Sequence, residues 1–358
     1  MQYDSSINVN GRLISIDQPS YFIADIAANH DGDLERAKAL IWQAKEAGAD
    51  AAKFQHFKAE KIVSDLGFKS LGSQQSHQAG WKKSVFQVFQ DYECNREWNQ
   101  ELINTAADAK IDFITTPYDT DAVDELDPFL PAYKIGSGDI TWVEFIEYVA
   151  KRNKPLFLAT GASDVADVER AVAAALLHNR QLVLMQCNTN YTGSLENFKF
   201  INLNVLKSYA AKYPEMILGL SDHSPGHATV LGAISLGARV IEKHFTDDAS
   251  RVGPDHGFSM TPRTWRDMVD RSRELENALG DGIKRVESNE AQTAILQQRC
   301  LYLTRDIALG ELISKNDLEA LRPVQSGAYK PYELTAAVGK KVVKIRKRGE
   351  FLLKSDLE

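Results

Sequence analysis

Residues 21–54 contain, in order, an apolar run YFIADI (21–26), the stretch DLERAKALIWQAKEAG (33–48) and a second apolar run DAAKF (50–54). The middle stretch predicts a helix: Asp33 is a cap, Leu34, Ala37, Leu40, Ile41 and Ala44 recur by threes and fours, and Gly48 closes it. A short apolar run, an amphipathic helix and another short apolar run form a strand-helix-strand unit of a parallel sheet. The pattern continues. Further strands are predicted at IDFIT (111–115), AYKIG (132–136), PLFLA (155–159), QLVLMQ (181–186), MILGL (216–220) and RVIEKHF (239–245). Helices are predicted near 95–109 and 120–126, through Trp142, Phe145, Ile146 and Val149, from Ser163 through Val165, Val168, Val172 and Leu176, near 226–237, and from Thr261 and Pro262 to Gly280. Eight such strands over about 260 residues match a closed (β/α)₈ barrel better than an open sheet. Ahead of the first strand, Ile7 and Val9, then Asn10-Gly11, then Ile14 and Ile16 predict a hairpin plugging the barrel bottom.

Residues 281–297 are charged and polar without a clear period, so the barrel domain is assigned to 1–283 and a linker to 284–297. A small β-rich domain follows over 298–358, in which GELISKNDL (310–318) recurs as GEFLLKSDL (349–357). This module is expected to be internally pseudo-symmetric and to lean on another surface, because so short a chain buries little area.

With 358 residues, 44% hydrophobic and 25% charged, the composition is that of a globular protein. The net charge of −7 argues against general affinity for nucleic acid or anionic lipid. No apolar run approaches the roughly 20 residues of a membrane span, and MQYDSSINVNGRL does not read as a leader, so a cytoplasmic protein is expected. The 3 cysteines, Cys94, Cys187 and Cys300, are too scattered for a disulfide framework or a zinc cluster.

In a (β/α)₈ barrel the chemistry sits at the carboxyl ends of the strands. Lys53 and Lys134 lie in apolar strands, where an ammonium is costly unless it meets an anion, so they predict a phosphate and carboxylate pocket; the alternative is pairing with a structural carboxylate. Thr116, Ser137 and Ser221, just beyond strands, are candidate neutral donors to the same anion. His223 and His244 on adjacent strands suit a divalent transition metal completed by water and substrate. Asp25, Asp139 and Asp255 are rim carboxylates for proton transfer or water orientation, although aspartate also serves as a cap in such loops.

These residues sit in NHDGDLERAKALIWQAKEAGADAAKFQ (29–55), TTPYD (115–119), PAYKIGSGD (131–139), GLSDHS (219–224), EKHFT (242–246) and GPDHGFSM (253–260). Together they resemble the sialic acid synthases over essentially the whole chain. That resemblance implies a (β/α)₈ barrel followed by an antifreeze-like (SAF) domain, and condensation of phosphoenolpyruvate with the aldehyde of N-acetylmannosamine or a related amino sugar, releasing phosphate. It implies manganese, or magnesium or cobalt, on His223 and His244. It further implies phosphoenolpyruvate on Lys53, Thr116, Lys134, Ser137, Ser221 and, more loosely aligned, Asn188. Gln55, Asp139 and Tyr191 match sugar positions, and Asp25 and Asp255 catalytic ones. Arg322 matches an arginine offered to the sugar's acyl group across a domain-swapped homodimer. The chain departs from the family at Asp25, where glutamate is usual, at His56 for threonine, at Ala159 for a serine, and in LMQCNTNYTGS (184–194). The same chemistry on a 2,4-diacetamido-6-deoxyhexose is an alternative. A Schiff-base aldolase using Lys134, and a carbohydrate-binding protein on a degenerate barrel, are others.

Overall fold

The computed structural model describes residues 2–358, which fall into two compact units that part at Gly280. In the first, strands Ser6–Val9 (β1) and Arg12–Ser15 (β2) pair antiparallel around Asn10-Gly11, both at positive φ as a tight two-residue hairpin requires. Ile7, Val9 and Ile14 pack with Tyr21, Ala51, Phe157, Val183 and Val240 from the starts of the barrel strands, so the hairpin does plug the bottom.

Eight parallel strands close the barrel: Tyr21–Asp25 (β3), Ala51–His56 (β4), Asp112–Pro117 (β5), Tyr133–Ile135 (β6), Leu156–Ala159 (β7), Leu182–Cys187 (β8), Ile217–Asp222 (β9) and Ala238–His244 (β10), the last returning to β3. Each lies within about two residues of its expected limits. Outward side chains such as Phe22, Phe54, Leu158 and Ile241 bury against the helix ring, which includes Leu34–Glu46, Asn99–Ala109, Val143–Ala150 and Pro262–Leu279.

Four details differ from the sequence reading. The helix Val165–His178 is capped by Asp164 rather than Ser163, because Asp164 and Asp167 cap each other's backbone N–H reciprocally while Ser163 donates to Thr160 O. A helix at Val205–Lys212 follows β8, unforeseen because only Leu206 and Tyr209 of it are buried. Residues 57–94 hold short helical turns, Ala59–Ile62, Asp65–Ser70, Ser76–Gly80 and Val85–Asp91. The stretch read as a linker contains the helix Ala291–Gln297, with no buried residue and hence no apolar period to detect.

In the second unit, Cys300–Leu303 (β11) pairs antiparallel with Leu318–Leu321 (β12) over a core of Leu301, Leu303, Ile307, Ile313, Val342 and Leu352. The repeat is structural. Gly310 and Gly349 both take positive φ, near 84° and 83°. Asp317 accepts from Ser314 N and Arg305 Nε at 2.8 and 2.6 Å, and Asp356 accepts from Leu353 N and Arg346 Nε at 2.9 and 2.8 Å. All three cysteines are free and buried. No helix among the described residues is long and apolar enough to cross a membrane.

Candidate active site

The period of two along each strand decides which side chains face the barrel axis. It turns Lys53 and Gln55 of β4, Thr116 of β5, Lys134 of β6, Ser221 of β9, and Glu242 and His244 of β10 into a cavity of about 290 Å³ at the carboxyl ends. Their neighbours His56, Thr115, Asp222 and Lys243 point outward and satisfy one another behind the wall: His56 bridges Thr115 Oγ1 and Asn99 Oδ1 at 2.7 and 2.9 Å, and Lys243 pairs with Asp222. The parallel register sets Asp25 beside both Lys53 and His244, and Ser221 beside Glu242.

Both lysines are buried and paired. Lys53 Nζ lies 2.7 Å from Asp25 Oδ2 and donates to Thr116 Oγ1 at 3.0 Å. Lys134 Nζ donates to Glu242 Oε1 at 2.7 Å, and Ser221 Oγ donates to the same oxygen at 3.2 Å. Burial alone would lower the Lys53 ammonium's pKa, but Asp25 and Glu242 hold it above the ordinary value. Burial would likewise raise Asp25, yet the Lys53 ammonium beside it brings its carboxyl below the ordinary value. Ala27 N and Gln55 Nε2 also donate to Asp25 at 3.1 Å each.

His223 and His244 face one another with ring centroids 5.3 Å apart. Burial lowers both pKa values, His244 to about 3, so both rings are neutral at pH 7. Because His223 Nδ1 sits 2.9 Å from the carbonyl oxygen of Asn188, which only accepts, Nδ1 carries the proton and Nε2 keeps a lone pair. His244 Nδ1 is buried with no hydrogen-bond partner. Two neutral imidazoles, one with an orphaned nitrogen, are the donor set a borderline divalent cation takes. Among the described residues no group of three or more histidine, cysteine or carboxylate side chains could hold an ion, so any ion here would complete its shell from water and substrate.

Asp255 hangs over the pair, with Oδ2 3.9 Å from His244 Nδ1 and accepting from Ala28 N at 3.1 Å. Burial pushes its carboxyl up to about 7, and the nearby charge of Asp25 adds to the rise. Its loop is pinned by buried His256, which bridges Thr246 Oγ1 at 2.8 Å and Asp31 Oδ1 at 2.9 Å. Tyr191 packs edge-on against His223 at 4.3 Å, and Ser137 Oγ accepts from Gly161 N at 2.9 Å.

Eleven of the expected site residues therefore line one cavity: Asp25, Lys53, Gln55, Thr116, Lys134, Ser137, Tyr191, Ser221, His223, His244 and Asp255. Three do not. Asn188 turns its side chain to Phe200 O at 3.2 Å and lines a neighbouring cavity, while its backbone carbonyl accepts from His223 Nδ1 at 2.9 Å. Asp139 sits outside the lining, with Oδ2 buried and unpartnered and burial raising its pKa to about 6. Arg322 is an exposed residue of the second unit. Ala159 does line the cavity but offers no hydroxyl.

Glu242 was not singled out in the sequence, although it is the carboxylate shared by Lys134 and Ser221, 3.9 Å from Lys53. The signal was available: the strand's alternation puts residue 242 on the same face as His244. Also missed were the cavity residues Tyr118, His77, Gln78 and Trp81, all half-buried.

Comparison with known proteins decides the family. The NeuB family model matches residues 40–284 and the SAF domain model matches 298–358. The chain belongs to the NeuB family, the sialic acid synthases. Among curated NeuB relatives, it is 34% identical over 344 residues to N,N'-diacetyllegionaminic acid synthase of Legionella pneumophila, spanning 94% of each chain. It is 29% identical over 334 residues to human N-acetylneuraminate-9-phosphate synthase, covering 93% of this chain and 91% of that one. Among solved structures, it superposes on N-acetylneuraminic acid synthetase from Leptospira borgpetersenii, in complex with citrate, with TM-score 0.70 at 26% identity, over 82% of this chain and 95% of that one.

Proposed function

We propose that this NeuB-family enzyme condenses phosphoenolpyruvate with the open-chain aldehyde of an N-acylated amino sugar, giving a nonulosonic acid and phosphate. The observation that carries the reading is the floor of the cavity, where Lys53 and Lys134, with Thr116, Ser137 and Ser221 close by, stand beside two neutral imidazoles. The lysines reach an anion by exchanging Asp25 and Glu242 for it, and those carboxylates keep them oriented until it arrives.

The enol carbon of phosphoenolpyruvate attacks the aldehyde carbon, water adds at the carbon bearing the phosphate, and the tetrahedral centre collapses by carbon–oxygen cleavage, so that phosphate leaves with its bridging oxygen. Asp25 and Asp255 stand over this position to orient the water and take its proton. Gln55 and Tyr191 line the side where the acceptor would lie. A divalent ion on His223 and His244, manganese in our reading, with magnesium or cobalt as substitutes, would withdraw electron density from the aldehyde. The lysine-carboxylate pair at Lys134 argues against an imine mechanism, because an ammonium held at 2.7 Å from Glu242 is a poor nucleophile. We further assign Arg322 to the acceptor's acyl group in a partner's barrel within a domain-swapped homodimer; the small size of the second unit and its SAF match support that assignment.

The test is phosphate release from phosphoenolpyruvate with manganese across N-acetylmannosamine, its 6-phosphate and 2,4-diacetamido-6-deoxyhexoses. Acceptor-dependent release that a chelator abolishes and manganese restores is expected. A stable adduct with pyruvate after borohydride reduction would replace the reading with an aldolase.

A further inference from the structure

Two charged residues beside the imidazole pair have no part in the chemistry described so far. Asp222 precedes His223 on β9, Lys243 precedes His244 on β10, and the parallel register sets them side by side. Strand alternation turns both away from the cavity, and each side chain is 1% exposed. Lys243 Nζ donates to Asp222 Oδ2 and, at 2.6 Å, to Ser224 O. Asp222 also accepts from Ser224 N at 3.1 Å, from Ser224 Oγ at 2.9 Å and from Thr229 Oγ1 at 2.7 Å, the last in the first turn of the helix Ala228–Ser235. One ammonium, carried by the residue before His244, therefore grips the chain on both sides of His223.

Stability is a weak reason for such a pair. Taking two charges out of water costs about what their attraction returns, so well-packed neutral side chains of similar size commonly hold a fold equally well. What the pair supplies is direction, because ammonium, carboxylate and carbonyl must meet at set distances and angles that apolar contacts do not demand. Lys53 and Lys134 also sit against carboxylates, but they line the cavity and can exchange those partners for an anion; Asp222 and Lys243 do not line it. What they reach is the backbone that carries the two rings. Asn188 O fixes the tautomer of His223 at 2.9 Å, and Lys243 fixes where the backbone of His223 stands relative to β10.

Resting on the metal site of the reading above, we propose that Asp222 and Lys243 are positioning residues that lock His223 and His244 at the spacing a divalent ion needs, without touching ion or substrate. The test is manganese binding by the full-length, metal-stripped chain, read as free manganese by electron paramagnetic resonance, beside thermal unfolding. The wild type should bind, and His223→Ala should not. Asp222→Asn combined with Lys243→Met removes both charges together; this double variant is expected to melt close to the wild type and to bind manganese about tenfold or more weakly. Lys243→Met alone leaves a buried carboxylate unpaired and should lose both stability and affinity. Val149→Ala, a core truncation in the helix Val143–Ala150, should lower the melting temperature with manganese binding unchanged, which separates loss of position from loss of stability. Thr229→Val removes one donor to Asp222 without stranding a charge; it should show a smaller loss of affinity in the same direction, and it decides the question if the double variant does not fold. Wild-type affinity in the double variant, or in Thr229→Val where that variant stands in for it, would overturn the assignment. So would affinity that merely tracks melting temperature across all the variants. A wild type that binds no manganese at His223 would instead remove the metal from the parent reading, before any positioning variant is made.

Discussion

Lys134 and Glu242 form a buried ion pair in which each charge depends on the other. Removing one partner of such a pair leaves the other charge unpaired in the interior, at a cost of about 3–5 kcal/mol. Lys134→Met is therefore expected to destabilise the barrel by that amount in urea unfolding and to abolish turnover. Adding Glu242→Gln should restore much of the stability and none of the activity, because the substrate anion still lacks its ammonium. His56 makes a different statement. Burial pushes its ring down to about 4, and it is held by Thr115 and Asn99, so it is neutral in the fold and titrates near 6.5 when unfolded. The folded state then binds fewer protons, and the group's contribution, fully present above pH 6.5, is lost as pH falls toward 4. At pH 5 the loss is about 2 kcal/mol, taking ~1.4 kcal/mol per unit. His56→Gln, which keeps hydrogen-bonding capacity without the titration, should lose correspondingly less stability between pH 7 and 5 in denaturant unfolding.

At the scale of the strand, the site depends on β8, β9 and β10 lying close enough to set Ser221 and His223 opposite Glu242 and His244. Gly219 permits that approach: a Cβ there would sit 2.7 Å from Val240 O and 2.8 Å from Met185 Cγ. Backbone cannot give way as a side chain can, so Gly219→Ala is expected to cost about 1–3 kcal/mol and to displace the two residues that follow on the inner face. Lower thermal stability together with a fall in kcat would be observed; a variant with unchanged melting and activity would show that β9 and β10 tolerate more separation than this packing allows. The strand limits themselves were legible within about two residues, because apolar strands bounded by caps and glycines carry a strong local signal. The helix Val205–Lys212 and the turns of 57–94 were not, since they bury few side chains and tertiary contacts rather than periodicity hold them.

For the molecule as a whole, the proposed swapped dimer has a distinctive consequence. Arg322→Ala and His223→Ala chains should each be inactive alone. If one chain's Arg322 completes its partner's barrel, mixed dimers contain one site carrying both lesions and one site carrying neither. Mixing the two variants under conditions of subunit exchange is then expected to restore activity that neither has alone. No recovery, with exchange shown by mass or fluorescence, would mean that Arg322 acts within its own chain or not at all.

Alternation of strand and helix, the strand-end lysines and histidines, and the repeated GE-x₃-K-x-DL segments were all determined by the sequence, because each depends on neighbours within a few residues or on an internal repeat. Eleven of fourteen expected site residues converge on one cavity: nine were read at strand ends and the rim, because in a parallel barrel such a position is already a position in space, and Gln55 and Tyr191 came from the family resemblance. Only the tertiary structure decided that Glu242 is the carboxylate shared by Lys134 and Ser221, that Asn188 meets His223 through its carbonyl rather than its amide, and that His77 and Trp81 wall the cavity. Those facts depend on side-chain direction and on contacts between segments tens to more than a hundred residues apart, which no local period encodes.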